Sequence, residues 1–139
     1  MNTKSDNEVV ARVRATLANR GGLITGAILT YRQSDPFAVE LYFPISRTTW
    51  TIARSLLMDG ITDRTGVGDI VVYPCPDDET VLVMELNPPN GYLIIEFVKA
   101  EIVSWLERTL ALVPDGGEPP IDWESEIATW LDQDGGATV

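Results

Sequence analysis

The acidic residues of this chain are its first candidates for chemistry, because the sequence contains no histidine. Asp77, Asp78 and Glu79 are adjacent carboxylates, and paired carboxylates are a common device of general acid–base catalysis. Neighbours on one turn cannot flank a substrate from two sides, so we interpret this run as a solvated turn. Without histidine, no Ser-His or Cys-His pair is available to activate a nucleophile. The sequence therefore predicts a protein that is not an enzyme.

Two further segments match ligand-binding loops only in part. Gly66-Val67-Gly68 has a valine where the third glycine of a dinucleotide-binding loop would stand. Asp132-Gln133-Asp134 begins like a calcium loop, but the roughly twelve residues of such a loop would run past the end of the sequence. Cys75 has neither a second cysteine for a disulfide nor a histidine for a common zinc site. We predict no cofactor and no metal.

Charge is divided unevenly between the two halves of the chain. Residues 1–66 carry eight Lys/Arg against six Asp/Glu, whereas residues 67–139 carry two against fifteen, and the whole chain has a net charge of −11. This field repels a polyanion from the second half and leaves the arginines of the first half as a candidate basic surface. Solvation of exposed faces is the simpler interpretation, and we favour it. The arginines concerned are Arg12, Arg14, Arg20, Arg32, Arg47, Arg54 and Arg64.

Three side chains are predicted to contact a partner: Arg54, Leu57 and Trp105. Arg54 would open a short helix, where its charge opposes the helix dipole. It should therefore either form a salt bridge with a carboxylate such as Asp69, which we favour, or meet a partner. Leu56 and Leu57 cannot both face inward on a short helix unless the helix is deeply wedged into the core. One of the two is therefore expected to reach a partner surface. For Trp105, burial in the core is the competing and favoured interpretation.

The first half of the chain shows the alternation typical of β-strands. Val9–Leu17 alternates apolar and polar residues, although apolar residues four apart would also fit a helix. A glycine-rich turn near 18–22 and the β-branched residues of 23–31 favour two antiparallel strands. Phe37–Phe43 supplies a third strand, with Phe37 on its apolar side. Flanking prolines keep this strand short.

A strand and a short helix follow. Thr48–Ile52 is β-prone, and Trp50 in this run is expected to fill the core. The segment 54–59 predicts a short helix, which Gly60 would end by supplying a left-handed turn. Thus the helix that carries Arg54 should lie directly after a strand.

The second half alternates strands with turns before it becomes helical. Residues 67–73, 81–86 and 92–97 are predicted strands. Gly66 and Gly68 are interpreted as turn glycines, and Asp69 is expected to bond the backbone of its own turn. Residues 98–113 predict a long helix whose apolar face covers about half of its circumference, wide enough to pack on the sheet and on a second copy of the chain. Asp122 would cap a last helix over 122–131.

The chain length fits a single domain over residues 1–139, with residues 1–7 and 133–139 expected to be flexible. The polar start of the sequence lacks the apolar region of a signal peptide, and no apolar run is long enough to cross a membrane. These observations predict a cytoplasmic protein without direct membrane insertion.

The order and spacing of several motifs resemble one family. Asp35-Pro36-Phe37-Ala38-Val39, Trp50-Thr51-Ile52-Ala53-Arg54-Ser55-Leu56-Leu57 and Gly66-Val67-Gly68-Asp69-Ile70 look like the SsgA/SsgB-like proteins, small actinobacterial regulators of sporulation-specific cell division. The resemblance covers most of the chain and is most specific in the middle. The family-motif residues interpreted as structural are Asp35, Pro36, Trp50, Ala53, Leu56, Gly60, Gly66, Gly68 and Asp69.

The resemblance implies both a fold and a function. The fold would be α+β: a bent, Whirly-like antiparallel sheet of about six or seven strands, crossed by the long helix near the C-terminus and accompanied by short extra helices. SsgB-type members help to recruit the tubulin-like division GTPase FtsZ to septa and cooperate with an SsgA-type partner, so we expect a septal adaptor, and the family suggests a homotrimer. The alternative is an oligomer that binds single-stranded nucleic acid, which the net charge of −11 opposes.

Overall fold

A computed structural model describes residues 7–87 and 91–116 of the chain, and within them there are eight β-strands and two α-helices. The segment 67–73, predicted as one strand, is instead part of a hairpin of two short strands, with Gly68 in the turn at φ 60°. This extra strand raises the predicted six or seven to eight. The elements are β1 (Glu8–Leu17), β2 (Leu23–Arg32), β3 (Asp35–Phe43), β4 (Thr48–Ala53), α1 (Arg54–Gly60), β5 (Thr65–Val67), β6 (Ile70–Pro74), β7 (Val81–Leu86), β8 (Leu93–Val98) and α2 (Lys99–Leu112).

All eight strands belong to one antiparallel sheet with the order β4-β3-β2-β1-β8-β7-β6-β5. Strands β1–β4 form one four-stranded meander and β5–β8 form a second. The two meanders are joined by β1 and β8, which pair only over Ala15–Leu17 with Ile95–Phe97. The sheet is curled, and α1 contacts β3 and β4 at one end of it and β5 and β6 at the other. Thus α1 bridges the two ends of the sheet.

The concave face of the sheet carries the core. Along β1, the alternate residues Val13, Ala15 and Leu17 are buried whereas Arg12 and Arg14 are exposed, as the predicted alternation requires. Strand β3 repeats the pattern except at its start. There, Phe37 shares the predicted apolar side but is 51% exposed, and it lies where the register between β2 and β3 shifts, at Tyr31/Arg32.

Helix α1 is wedged into the core deeply enough to bury two adjacent leucines. Leu56 and Leu57 are 3% and 1% exposed, which a helix lying on one flat surface could not achieve. Gly60 has a different role from the predicted left-handed turn, since the residue after it, Ile61, is still right-handed. A Cβ at Gly60 would lie 2.4 Å from Val72 Cγ1. Glycine is therefore needed for the close approach of α1 to β6.

Helix α2 covers the part of β1 that extends beyond its pairing with β8. The indole Nε1 of Trp105 donates to Val9 O at 3.0 Å, Arg108 Nη2 donates to Val10 O at 3.0 Å, and the Glu101 carboxylate accepts from Arg14 N at 3.1 Å. A strand edge left open presents unpaired backbone groups. Side chains of α2 therefore form hydrogen bonds with the β1 backbone in the region where no neighbouring strand pairs with it on this side.

The fold class expected from the sequence is confirmed: a bent antiparallel sheet with the long helix near the C-terminus. A specific likeness to Whirly-type proteins stays a prediction. The predicted helix at 122–131 and the flexible end 133–139 lie outside the described residues, as does the segment 1–7 except for its last residue. Within residues 7–87 and 91–116, neither helix is long and apolar enough to span a bilayer.

Candidate interaction surface

Arg54, a predicted partner contact, is 1% exposed at the start of α1. Its Nη1 donates to Val113 O at 2.7 Å and to Thr109 O at 3.2 Å, and its guanidinium lies 4.8 Å from the ring centroid of Tyr31. The carbonyls at the end of a helix form the negative pole of its dipole. Arg54 thus caps the C-terminus of α2, and within the described residues no ion pair joins it to Asp69.

The other two predicted partner contacts are also buried. Leu57 and Trp105 are each 1% exposed, and both belong to the main core cluster. A partner would reach Arg54, Leu57 or Trp105 only if α1 or α2 moved. Their role in partner binding therefore stays a prediction, and the exposed surface must be sought elsewhere.

The family-motif residues lie in three places. Asp35 and Pro36 begin β3, where Pro36 O accepts a 3.0 Å hydrogen bond from the Tyr31 hydroxyl. Trp50 is half-buried on β4 and packs against the core, and Ala53 is the N-cap residue of α1. These residues thus support the junction between β3, β4 and α1.

Leu56 and Gly60 lie on α1, and the last three motif residues belong to the β5–β6 hairpin. A Cβ at Gly66 would lie 3.3 Å from Val71 Cγ2, and Gly68 takes the left-handed φ of 60° in the turn. Asp69 O accepts a 2.9 Å hydrogen bond from Asn87 N, which ties this hairpin to the end of β7. The turn role predicted for Gly68 is confirmed, but the prediction is wrong for Gly66, which lies inside β5, and the backbone carbonyl of Asp69 bonds the end of β7 instead of its own turn.

Exposed apolar side chains concentrate at one end of the sheet. The β1–β2, β3–β4, β5–β6 and β7–β8 connections all lie at this end, as the register of the paired strands requires. Seven large hydrophobic residues are exposed in the described part of the chain, of which only Val10 and Phe37 lie elsewhere. Clustered exposed apolar residues mark interaction sites more often than scattered ones do. The five at the turn end are Leu23, Ile24, Ile45, Val67 and Tyr92.

The concave side of the sheet opens at this end into a groove of about 520 Å³, which we call the mouth groove. It lies between the β1–β2 turn, strand β4 and the start of β8, and Trp50 lies in its wall. Ile45, 60% exposed, stands next to it in the β3–β4 turn. The groove is lined by Leu17, Arg20, Leu23, Ser46, Thr48, Trp50, Gly91, Tyr92 and Leu93.

The charges of the two turns beside the mouth groove are all positive. Arg20 lines the groove and Arg47 projects from the β3–β4 turn, while residues 17–24 and 43–50 contain no aspartate or glutamate. Arg47 holds a left-handed φ of 55°, a conformation that is costly for a residue other than glycine. The two turns beside the groove therefore combine apolar side chains with two cations in a strongly acidic protein.

A polar cluster lies beside the groove, on the convex face of β6 and β7. The Glu85 carboxylate accepts hydrogen bonds from the hydroxyls of Tyr73 and Tyr92, and the Arg64 guanidinium lies 4.6 Å from the ring centroid of Tyr73. Burial of the Tyr73 phenol and its bond to Glu85 raise the pKa of Tyr73 to about 12. The carboxylate of Glu85 is thus held by two phenols, and it is not among the residues that line the groove.

Sequence reasoning missed the mouth groove, although one signal pointed to it. Ile45 lies between Pro44 and Ser46 in a turn, where no strand or helix period explains an isoleucine. Leu23 and Ile24 likewise follow directly on Gly21-Gly22. Apolar residues inside a turn or directly after it are a usable sign of a contact surface.

Comparisons with known proteins point to one family. Residues 26–118 match the family described as Streptomyces sporulation and cell division protein, SsgA. A sporulation-specific cell division protein SsgB of Frankia casuarinae is 31% identical over 129 residues, 88% of this chain and 90% of that protein. The SsgB of Saccharopolyspora erythraea is 39% identical over 93 residues, 65% of this chain and 66% of its own length.

Solved structures of two relatives share the fold. The SsgA-like sporulation-specific cell division protein of Thermobifida fusca superposes with a TM-score of 0.75 at 30% identity, covering 94% of this chain and 100% of that one. A structure from work on SsgB mutations and longitudinal cell division during sporulation of Streptomyces coelicolor gives a TM-score of 0.76 at 30% identity, covering 85% and 96%. The curled sheet with its C-terminal helix is therefore common to all three.

Proposed function

Because this chain belongs to the SsgA family of sporulation and cell division proteins, we propose that it is a non-enzymatic adaptor in sporulation-specific cell division that helps to recruit or position FtsZ at septa. Its relatives are named sporulation-specific cell division proteins, which supports a role in this process. The lack of histidine supports a role without catalysis.

The mouth groove is the surface that we assign to this contact. The observation that carries the assignment is the clustering of exposed apolar side chains, among them Leu23, Ile45 and Tyr92, at one end of the sheet. Interfaces are anchored by a few aromatic and apolar residues in pockets, and Trp50 in the groove wall supplies such a position. Arg54, Leu57 and Trp105 would hold the helices behind this surface.

Cosedimentation with polymerised FtsZ from the same cell tests the proposal. The unmodified chain should pellet with the polymers, and Ile45→Asp should abolish most of the pelleting because it places a charge beside the apolar groove. Phe37→Asp is the matched control, since Phe37 is similarly exposed but lies outside the turn end. Circular dichroism would verify that both variants are folded. If the unmodified chain stays in the supernatant, FtsZ is not its partner.

Assembly and location form the second part of the proposal. The family resemblance suggests a homotrimer that cooperates with an SsgA-type protein in the cytoplasm at the septum, and the partly exposed α2 residues Val103 and Leu110 leave apolar surface for a neighbouring copy. Sedimentation equilibrium of the purified chain should give three times the monomer mass. A fluorescent fusion should form septal bands, and a monomeric or evenly distributed protein would contradict this part.

A further inference from the structure

We propose that the mouth groove binds an acidic, amphipathic segment of a partner protein, with an apolar side chain in the groove and carboxylates at Arg20 and Arg47. This inference rests on the proposed function in that it describes the partner of the same surface. It specifies the chemistry of the ligand.

The groove has a lining that suits an apolar side chain of a partner. Its volume of about 520 Å³ lies in the range usual for small ligand sites. Leu17, Leu23, Trp50 and Leu93 supply its apolar lining, and Ile45 is exposed in the adjoining β3–β4 turn. A tryptophan or leucine of the partner would bury apolar area there, whereas a polar side chain would lose its hydration without an apolar gain.

The charges around the groove select the rest of the segment. Arg20 and Arg47 stand on the two turns that border it, and these turns contain no carboxylate. The second half of the chain, by contrast, carries fifteen acidic residues against two basic ones. The second half of the chain therefore repels an acidic ligand, whereas the two turns beside the groove attract it. A basic segment would meet two like charges at the groove.

Both arginines are free to reach a ligand without unfolding the site. Arg20 Nη1 is 3.3 Å from Asn19 O, a contact within its own turn, and Arg47 is exposed in the β3–β4 turn. Neither takes part in the salt bridges of the described residues, which join Arg32 to Glu8 and Glu40. A carboxylate of the partner would therefore not have to displace an existing ion pair.

Fluorescence anisotropy with two labelled synthetic peptides tests the inference on the full chain. One peptide has glutamates around a tryptophan and two leucines at helical spacing, and the other has lysine in place of every glutamate. We expect the acidic peptide to bind at least about tenfold more tightly, with an affinity that falls as salt is added. Equal binding of the two peptides, or no binding of the acidic one, would overturn the inference.

Charge-reversed variants locate the site. Arg20→Glu with Arg47→Glu should weaken binding of the acidic peptide about tenfold. The same change of net charge in Arg12→Glu with Arg14→Glu, on the convex face, should leave it within about twofold. An equal loss in both pairs would show a general charge effect and refute the groove as the site.

Peptide binding and FtsZ cosedimentation together distinguish a failure of this inference from a failure of the proposed function. Selective peptide binding without FtsZ cosedimentation would keep the acidic-segment site and remove FtsZ as its source. FtsZ cosedimentation that Arg20→Glu with Arg47→Glu leaves unchanged would keep the adaptor function and remove the acidic-segment site.

Discussion

Arg54 at the start of α1 donates a 2.7 Å hydrogen bond to the carbonyl oxygen of Val113, one residue past the end of α2. The two residues are far apart in sequence, and this bond joins the only two helices of the described residues. An arginine that is misplaced against the dipole of its own helix is thus well placed against the dipole of another. The relationship gives Arg54 a structural reason to be buried.

Replacing Arg54 by methionine should therefore destabilise the fold. The substitution keeps much of the side-chain volume but leaves the carbonyls of Thr109 and Val113 without this buried donor. We expect the free energy of unfolding to fall by about 3 kcal/mol, measured by urea denaturation. Arg20→Met, at an exposed position, should change it by less than about 0.5 kcal/mol. Similar urea midpoints for Arg54→Met and Arg20→Met would show that Arg54 does not stabilise the fold by capping α2.

A methyl group at Gly60 should be poorly tolerated. Its Cβ would approach Val72 Cγ1 to 2.4 Å, so α1 or β6 would have to shift, at a cost of about 2 kcal/mol. Gly66→Ala is a matched control because its Cβ would lie 3.3 Å from the nearest side-chain atom. Thermal denaturation should show a clearly lower midpoint for Gly60→Ala than for Gly66→Ala, and the reverse order would contradict the close-approach explanation.

Stability should fall at high pH because of Tyr73. Its pKa is raised from 10.0 to about 12 in the folded chain, so between these values the folded state binds more protons than the unfolded state. The resulting contribution is fully present below pH 10 and is lost as the pH rises through about 12. In Tyr73→Phe the fall over this range should be smaller. A tyrosinate absorbance titration that shows no late-titrating phenol would argue against the burial of Tyr73 and its bond to Glu85.

Single-stranded DNA should not bind, even at low salt. Arg12 and Arg14 face outward from the sheet, but Arg32 on the same face is neutralised by Glu8 and Glu40 at 2.8 and 2.9 Å. The net charge of −11 adds a general repulsion. Anisotropy of a labelled oligonucleotide should stay at its free value. Tight binding that weakens steeply with salt would instead support the nucleic-acid alternative.

Local patterns in the sequence predicted most of the elements. The alternation of Val9–Leu17 and the wide apolar face of 98–113 are properties of neighbouring residues, and the structure has a strand and a helix there. The sequence pattern predicts one strand in place of the β5–β6 hairpin because β5 has only three residues, too few to show a period. The sequence predicts that Gly60 ends α1 with a left-handed turn, because the close approach of Val72 to Gly60 depends on the fold and cannot be seen in the sequence.

The mouth groove could not be predicted from local sequence patterns for a related reason. The mouth groove brings together Leu17, Trp50 and Leu93, which belong to β1, β4 and β8. Their proximity depends on the order of the strands and on the curl of the sheet, neither of which a local period encodes. For the same reason the sequence predicts a carboxylate such as Asp69 as the partner of Arg54, whereas the structure pairs it with the end of a helix more than fifty residues later.

The three-pair junction of β1 and β8 has a consequence for how the chain folds. Every other strand pair joins neighbours in sequence, so its loop closes at little entropic cost. Ala15 and Phe97, by contrast, must meet across nearly the whole described chain. Non-local contacts of this kind slow folding. The two meanders are thus expected to form early and independently, and their docking at this short junction, locked by Trp105 and Arg54, is expected to set the rate.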